Sequence, residues 1–134
     1  MKDKLLSKQG WVILLICIIS FFINNRVVVP DIMEARNMVT AREMVHDGNW
    51  LVPTMNGDLR LEKPPLPTWL TAVAEMISPD NLALQRAMAG FAAILLVAFF
   101  YLTAVQVMRN KRYAFISTIL LCTCYNIILM GRTA

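Results

Sequence analysis

Three uncharged, apolar stretches divide the chain, and their lengths indicate what each one forms. Met88 to Met108 holds 21 residues without a charge, which matches the roughly 20 residues that a helix needs to cross a bilayer. Tyr113 to Met130 adds 18 uncharged residues. Trp11 to Ile23 holds only 13, so this span must extend toward Val29 or back toward Leu5. The pattern predicts an all-α, polytopic membrane protein whose three transmembrane helices cover residues 11–29, 88–108 and 113–130.

Composition and charge agree with a membrane protein. Of the 134 residues, 57% are hydrophobic and 16% are charged, which is too apolar for an ordinary soluble domain. The net charge is +4, but the basic residues lie at the ends of apolar runs instead of in one patch, so we expect no nucleic-acid partner. Each cysteine lies inside an apolar stretch, and Cys122 and Cys124 would diverge on a helix, which argues against a disulfide or a metal site there.

The positions of lysine and arginine predict the orientation of the spans. Basic residues gather before the first span and in the turn between the last two, and such clusters stay in the cytoplasm: Lys2, Lys4, Lys8, Arg109, Lys111 and Arg112. The stretch from Pro30 to Leu82 has eight acidic and four basic residues, so it is free to be translocated. A cleaved signal peptide is the alternative for the first segment, but Asn24-Asn25-Arg26 follows it without the small-residue pattern that cleavage requires. We therefore expect a multi-pass protein with a cytoplasmic N-terminus and an extracytoplasmic loop over about residues 30–82.

This loop has two helical patterns with a turn-rich segment between them. Asp31 is typical of an N-cap, Glu34 stands three residues on as in a capping box, and Gly48 predicts the end of the first helix. Asn56-Gly57 predicts a hairpin-like turn. Leu66 to Ile77 predicts a second, apolar helix. Both helices have an apolar side, so we expect them to be amphipathic helices that lie along the membrane interface.

An ordered set of motifs in the loop resembles the first outer loop of the protein O-mannosyltransferase superfamily, whose bacterial members include the lipid A aminoarabinose transferases. The family pattern reads D-E-x-R-Y-A, then R-E-M, G-x-W-x-x-P and, after a short spacer, E-K-P-P with a following W. The matching residues span about forty positions at consistent spacing: Glu34, Arg36, Arg42-Glu43-Met44, Gly48, Trp50, Pro53, Glu62-Lys63-Pro64-Pro65 and Trp69. The predicted topology, with one anchor, a large outer loop and further spans, also agrees.

The resemblance implies a glycosyltransferase of the GT-C architecture in the bacterial cytoplasmic membrane, of which this chain would be the N-terminal part. Its substrates would be a polyprenyl phosphate-linked sugar and a hydroxyl acceptor on lipid A, a glycan or a protein, bound among membrane lipids. In that family an acidic residue of the first loop is the catalytic base, the lysine of E-K-P-P contacts the lipid phosphate, and the adjacent glutamate ligates a divalent metal in some members. By position these are Glu34, Lys63 and Glu62.

Elementary chemistry supports these roles. A polyprenyl phosphate leaving group carries negative charge that a fixed ammonium or a metal ion stabilises. A carboxylate near the acceptor hydroxyl takes its proton as the sugar carbon is attacked. Arg36 and Arg42 are further candidates for the lipid phosphate, with the equal alternative that they pair with Glu43 and Asp47 on a solvated face.

The match departs from the family pattern at three places. Aligned without gaps, Met33 stands where the family has its catalytic acid, so the base is Glu34, which we favour, or Asp31 if two residues are inserted. A shift of two positions rotates a side chain by about 200° on a helix, so these two carboxylates do not face the same way. Asn37 replaces an aromatic residue, and Arg60 stands where some members carry tyrosine, which leaves the class of sugar open.

Structural roles compete with the catalytic ones. Asp31 and Glu34 would, as a capping pair, satisfy free backbone amides at a helix start, which is worth about 1 kcal/mol. Lys63 would, as a snorkelling cation, lie at the membrane interface. His46 is better explained as a polar residue at a helix C-terminus than as a ligand or base.

We hypothesise that the intact protein transfers a sugar from an undecaprenyl phosphate or related carrier to a hydroxyl acceptor at the outer face of the membrane, and that this chain alone is inactive. The rival hypothesis is a non-enzymatic membrane scaffold or a transporter subunit. Transporters carry ionisable groups or broken helices within their spans. Here the two longer predicted spans are uncharged and the polar groups gather in the loop, which favours the enzyme.

Overall fold

The computed structural model describes residues 8–23, 25, 27, 29–61 and 64–133. These residues form six α-helices and one two-stranded antiparallel sheet, with the following bounds: α1 Lys8–Phe22, α2 Ile32–Asp47, β1 Thr54–Met55, β2 Asp58–Leu59, α3 Pro65–Ile77, α4 Leu82–Met108, α5 Lys111–Cys122 and α6 Tyr125–Arg132. The chain divides into two compact units. We call Met1–Ile23 with Gly90–Arg132 the helix unit, and Asn24–Ala89 with Thr133–Ala134 the loop unit.

The predicted span 88–108 is helical throughout. It lies in α4, which begins six residues earlier at Leu82 and has 27 residues. Among the described residues, α4 is the one unbroken helix that is long and apolar enough to cross a membrane. Its rise of 1.5 Å per residue makes it about 40 Å long, more than the roughly 30 Å of a bilayer's hydrocarbon core.

The predicted span 113–130 is not one continuous helix. It is divided into α5 and α6, which meet at a 59° bend. At the bend, the hydroxyl of Thr123 donates hydrogen bonds to the carbonyls of Ile119 and Leu120 in the preceding turn, at 3.0 and 3.3 Å. Thr103 donates in the same way to the carbonyls of Phe99 and Phe100 within the unbroken α4, so this back-bonding does not by itself explain the bend. The span over 113–130 stays a prediction, and apolar composition alone gave no sign of the break within it.

The first predicted span is also shorter than expected. Helix α1 has 15 residues and ends at Phe22, so it does not continue to Val29 as a span over 11–29 requires. The other proposed extension, toward Leu5, lies outside the described residues. At about 22 Å, α1 is shorter than a hydrocarbon core.

Inside the helix unit, apolar side chains from α1, α4 and α5 form one core. Its fully buried members include Phe21, Cys17, Val97 and Cys122. Cys17 and Cys122 are free thiols whose Sγ atoms lie 3.7 Å apart. The sequence interpretation did not bring these two cysteines together, because 105 positions separate them and only the packing of α1 on α5 makes them neighbours.

In the loop unit the predicted elements agree closely with the structure. Helix α2 begins after Asp31, whose side chain accepts the amide of Ile32 at 2.8 Å, and it ends at Gly48 in the left-handed conformation with φ of 75°. Asn56 and Gly57, with φ of 55° and 83°, form the tight turn between β1 and β2. This pair of positive φ values is the reason that the Asn-Gly signal predicts a hairpin.

Helices α2 and α3 pack against each other through small and apolar side chains. Ala41, Met44 and Ala72 are fully buried between them. Trp69 packs against this cluster, and its indole Nε1 donates to the carbonyl of Trp50 at 2.8 Å. The segment between the two helices is thereby tied to α3.

Gly131 provides a stability test of the helix unit. A Cβ at this position would lie 2.7 Å from Cδ1 of Phe21 and 3.0 Å from Cβ of Ala93. Phe21 is fully buried, so its ring has no room to move. We expect Gly131→Ala to lower the free energy of unfolding by roughly 1–3 kcal/mol, measured by denaturant titration of the intact protein in detergent micelles.

The sign of this change is informative, because alanine normally stabilises a helix relative to glycine by about 1 kcal/mol. The Phe21→Leu variant, which trims the ring, is the matched background. In that background the cost of Gly131→Ala should shrink. A stabilised Gly131→Ala protein would contradict this packing.

Candidate functional site

The side chain of Glu34 is buried in an ion pair with Arg86. Arg86 Nε and Nη2 donate to the two carboxylate oxygens at 2.6 and 2.8 Å, and the side chains are 3% and 1% exposed. Arg86 Nη1 also donates to the carbonyl of Asn25. Both oxygens of the favoured base are thus engaged by one guanidinium in the first turns of α4, and an acceptor hydroxyl would have to displace it.

Asp31, the alternative base, is placed differently. It lies on the surface at the N-cap of α2, where one carboxylate oxygen accepts the amide of Ile32. The predicted capping role of Asp31 is therefore confirmed. Met33, which occupies the family's acidic position, is 45% exposed. Of the two candidate carboxylates, Asp31 is the one that solvent or a substrate reaches directly.

The two candidate phosphate-binding arginines of α2 have different surroundings. Arg42 pairs with Asp80 and lies 3.7 Å from the carboxylate of Glu75. The predicted partners Glu43 and Asp47 were wrong for this side chain, because the turn after α3 places two nearer carboxylates beside it. Arg36 is exposed, and it forms no ion pair with any side chain that the structure describes.

Glu43 and Glu75 hold the loop unit together, and the sequence interpretation gave neither residue this role. The carboxylate of Glu43 accepts the hydroxyl of Thr54 at 2.8 Å and the amide of Asn56 at 2.5 Å, which fixes the hairpin turn to α2. The buried carboxylate of Glu75 accepts the amide of Asp80 at 3.1 Å and a side-chain amide hydrogen of Gln85. Glu43 belongs to the R-E-M motif, and this membership was the sequence feature that singled the residue out.

Asn37, one of the departures from the family pattern, forms the polar contact between α2 and α3. Its Nδ2 donates to the hydroxyl of Thr71 at 3.1 Å, and its Oδ1 accepts the hydroxyl of Thr68 at 2.8 Å. All three side chains are buried. The asparagine is therefore matched by two threonines on the facing helix, which satisfy its buried amide as a buried polar group requires.

Arg60, another departure, is also buried. Its side chain is 7% exposed, and Nη1 donates to the carbonyl of Arg36 and to the hydroxyl of Thr40, both at 2.7 Å. Its backbone amide donates to the carbonyl of Pro53 at 2.8 Å. The strand that leads toward E-K-P-P is therefore anchored to the first half of α2.

Glu62 and Lys63, the predicted metal ligand and phosphate ligand, lie outside the described residues. The chain is fixed on both sides of them, by Arg60 before and by Pro65 at the start of α3 after. Among the residues that the structure describes, no three His, Cys, Asp or Glu side chains are grouped to hold a metal ion. His46 is exposed at the end of α2, and its Nδ1 lies 2.8 Å from Asp47 Oδ1.

A long apolar helix joined to a compact, polar loop unit defines the chain as a mainly α-helical protein of the membrane-associated class.

The chain is similar to bacterial proteins named undecaprenyl phosphate-alpha-4-amino-4-deoxy-L-arabinose arabinosyl transferase. It is 34% identical to the one from Pseudomonas savastanoi pv. phaseolicola over 92 residues, which are 69% of this chain and 17% of the relative. It is 35% identical to that of Shewanella sediminis over 88 residues, 66% of this chain and 16% of the relative. It is 29% identical to the transferase 2 of Proteus mirabilis over 112 residues, which are 83% of this chain and 20% of the relative.

These similarities confirm the resemblance inferred from the loop motifs. Over about 70% of its length the chain is related to the aminoarabinose transferases, which are GT-C glycosyltransferases. It spans about one sixth of the length of the first two relatives. No family model matches the chain, and no solved structure matches it.

The buried Glu34–Arg86 pair leads to a stability prediction. Removing one partner of a buried ion pair leaves the other charge uncompensated, so Glu34→Gln and Arg86→Gln should each lower the free energy of unfolding by about 3–5 kcal/mol. The double variant should lose less than the sum, because two neutral amides replace two charges. Denaturant titration of the intact protein in detergent checks this.

Asp47→Asn is the matched control, since that carboxylate is 46% exposed, and it should change stability by less than about 0.5 kcal/mol. Strict additivity of the two glutamine substitutions would show that the pair is not a coupled unit.

Proposed function

We propose that the intact protein transfers a sugar from a polyprenyl phosphate carrier to a hydroxyl acceptor at the outer face of a bacterial cytoplasmic membrane. The observation that carries this proposal is the similarity to named arabinosyl transferases over a stretch of 92 residues, together with the ordered loop motifs. The loop unit supports it physically, because α2, the hairpin and α3 hold the residues around E-K-P-P in one compact body.

The proposed phosphate ligands are Lys63 and Arg36. A cation fixed near the leaving phosphate stabilises the charge that develops there as the glycosidic bond breaks. Arg36 supports this role by being exposed and outside every ion pair that the structure describes. Arg42 is left to Asp80 and Glu75 and receives no part in the reaction.

For the catalytic base, the surroundings of the two carboxylates favour Asp31. A base must reach the hydroxyl proton within hydrogen-bond distance, and Asp31 is exposed while Glu34 accepts from Arg86 with both oxygens. Glu34 then acts as a positioning residue that holds α2. A divalent metal at Glu62 remains a prediction of the family resemblance, and no step of this proposal depends on it.

The proposed topology has three membrane-crossing segments and an interfacial loop unit. Support for the interfacial placement comes from α3, which exposes an apolar stripe at helical spacing: Leu66, Leu70, Val73 and Ile77. Helix α4 would cross the membrane, and α1 and the bent pair α5–α6 would form the other two crossings. The N-terminus would be cytoplasmic, because the basic clusters mark that side.

The bend between α5 and α6 is a feature that a transporter would also have. Transporters place ionisable groups beside such breaks, near the middle of the membrane. The stretch 113–131 has no aspartate, glutamate, lysine, arginine or histidine. The bend therefore gives little support to the transporter hypothesis, and the enzyme remains our proposal.

An Asp31→Asn variant separates catalysis from capping. Asparagine caps helices as well as aspartate does, so α2 should form normally, whereas a base that cannot accept a proton should reduce kcat by about 100-fold to 10,000-fold. The measurement is transfer by the full-length protein from a panel of radiolabelled undecaprenyl phosphate-linked sugars that includes 4-amino-4-deoxy-L-arabinose.

Asp58→Asn, at an exposed position of the hairpin, is the control and should retain full turnover. If Asp31→Asn keeps full turnover while Glu34→Gln abolishes it without loss of stability, the base is Glu34 and our assignment is wrong.

The proposed topology predicts opposite labelling of two sites. In a background without the three native cysteines, Leu51→Cys, at a position 85% exposed in the loop unit, should react with a membrane-impermeant maleimide in intact spheroplasts. Arg112→Cys, at an exposed position in the first turn of α5, should react only after permeabilisation. The reverse pattern would place the loop unit in the cytoplasm and remove the proposed outer-face reaction.

A further inference from the structure

Two arginines of the loop unit are buried and held in the same manner, but only one has an anionic partner among the described residues. Arg86 donates Nη1 to a backbone carbonyl and presents Nε and Nη2 to the carboxylate of Glu34. Arg60 likewise donates Nη1 to a backbone carbonyl, that of Arg36, and to the hydroxyl of Thr40. No ion pair joins Arg60 to an acidic side chain within the described part of the chain.

The remaining edge of the Arg60 guanidinium is the edge that suits an oxyanion. Arginine has five N–H groups, and the two on Nη1 are used, which leaves those on Nε and Nη2. No fully buried polar side-chain atom of the described residues lacks a hydrogen-bond partner, so these N–H groups are not completely enclosed by the loop unit. The planar Nε–Nη2 edge matches two oxygens of a carboxylate or a phosphate, as the Glu34–Arg86 contact illustrates.

The charges around Arg60 favour a phosphate over a carboxylate of the loop unit itself. Among the described residues of this unit, the buried or half-buried carboxylates are already engaged: Glu34 by Arg86, Glu43 by the hairpin amides, and Glu75 by the turn after α3. Arg36, whose carbonyl Arg60 contacts, is a second cation without a described ion pair. A guanidinium that is largely buried is stabilised by a partner of opposite charge, and a phosphate monoester carries enough charge for more than one cation.

We propose that Arg60 binds the phosphate of the polyprenyl phosphate carrier through its Nε–Nη2 edge. The inference rests on the proposed function and adds to it a phosphate ligand that neither the loop motifs nor the named relatives assign. Thr40 and the carbonyl of Arg36 are positioning groups, because they hold Nη1 and so aim the opposite edge outward. Arg60 precedes Lys63 by three positions, so both cations belong to the same short segment of chain.

The test is lipid binding by the full-length protein in nanodiscs. The probes are undecaprenyl monophosphate and, as the neutral control, undecaprenol. We expect Arg60→Gln to weaken the affinity for the phosphate by about 10-fold or more, the loss expected for a charge-assisted hydrogen bond, and to leave the affinity for the alcohol unchanged. Arg60→Lys should lose less, because it keeps the charge and gives up the two-pronged geometry.

Two measurements keep the outcome interpretable. Thermal unfolding is followed for every variant, and Arg112→Gln, an exposed arginine in α5, is the matched control and should bind both lipids normally. If both Arg60 variants bind undecaprenyl monophosphate as the unaltered protein does, the inference is overturned. A lowered Tm of the Arg60→Gln variant would in that case indicate that Arg60 pairs with a carboxylate elsewhere in the protein. If the unaltered protein binds undecaprenyl monophosphate no better than undecaprenol, the proposed function falls together with this inference.

Discussion

The loop unit depends on one buried ion pair, Glu34–Arg86. Two opposite charges removed from water are tolerated only when each satisfies the other and the remaining hydrogen-bonding groups are also paired. Here the guanidinium meets both carboxylate oxygens and a backbone carbonyl. The pair joins residues 52 positions apart, and so it fixes the start of α2 to the first turns of α4. An arrangement of α2 and α4 that separated the pair while keeping either side chain buried would leave that charge without its partner.

Two other acids of the loop unit, Glu43 and Glu75, also have structural roles. Glu43 fixes the hairpin, and Glu75 fixes the turn between α3 and α4. Among the described residues near the hairpin, Arg36 and Arg60 are cations without an ionic partner, and Asp58 is an exposed carboxylate that also has none. The two cations favour an anionic ligand over a metal ion, because cations repel a metal and attract a phosphate.

Sequence patterns predicted the loop unit well because its signals are local. An aspartate cap, a glycine in the left-handed conformation and an Asn-Gly turn each act within a few residues, and each was found where predicted. The long-range contacts were missed, since nothing in the sequence says that Glu34 meets Arg86 or that Cys17 meets Cys122. The apolar stretches were harder to predict, because composition indicates an apolar helix but does not show that the last one is divided by a bend.

Two departures from the family pattern, Asn37 and Arg60, are buried and hydrogen-bonded within the loop unit. Asn37 replaces a ring with an amide and is matched by Thr68 and Thr71. Arg60 replaces a phenol with a guanidinium and is matched by Thr40 and a carbonyl. Each of these two residues therefore has its own hydrogen-bond partners, and Arg60 anchors the segment that leads to E-K-P-P. Under the proposed function, the reaction class follows from the shared motifs, whereas the exchange at Arg60 changes how the phosphate of the carrier is held.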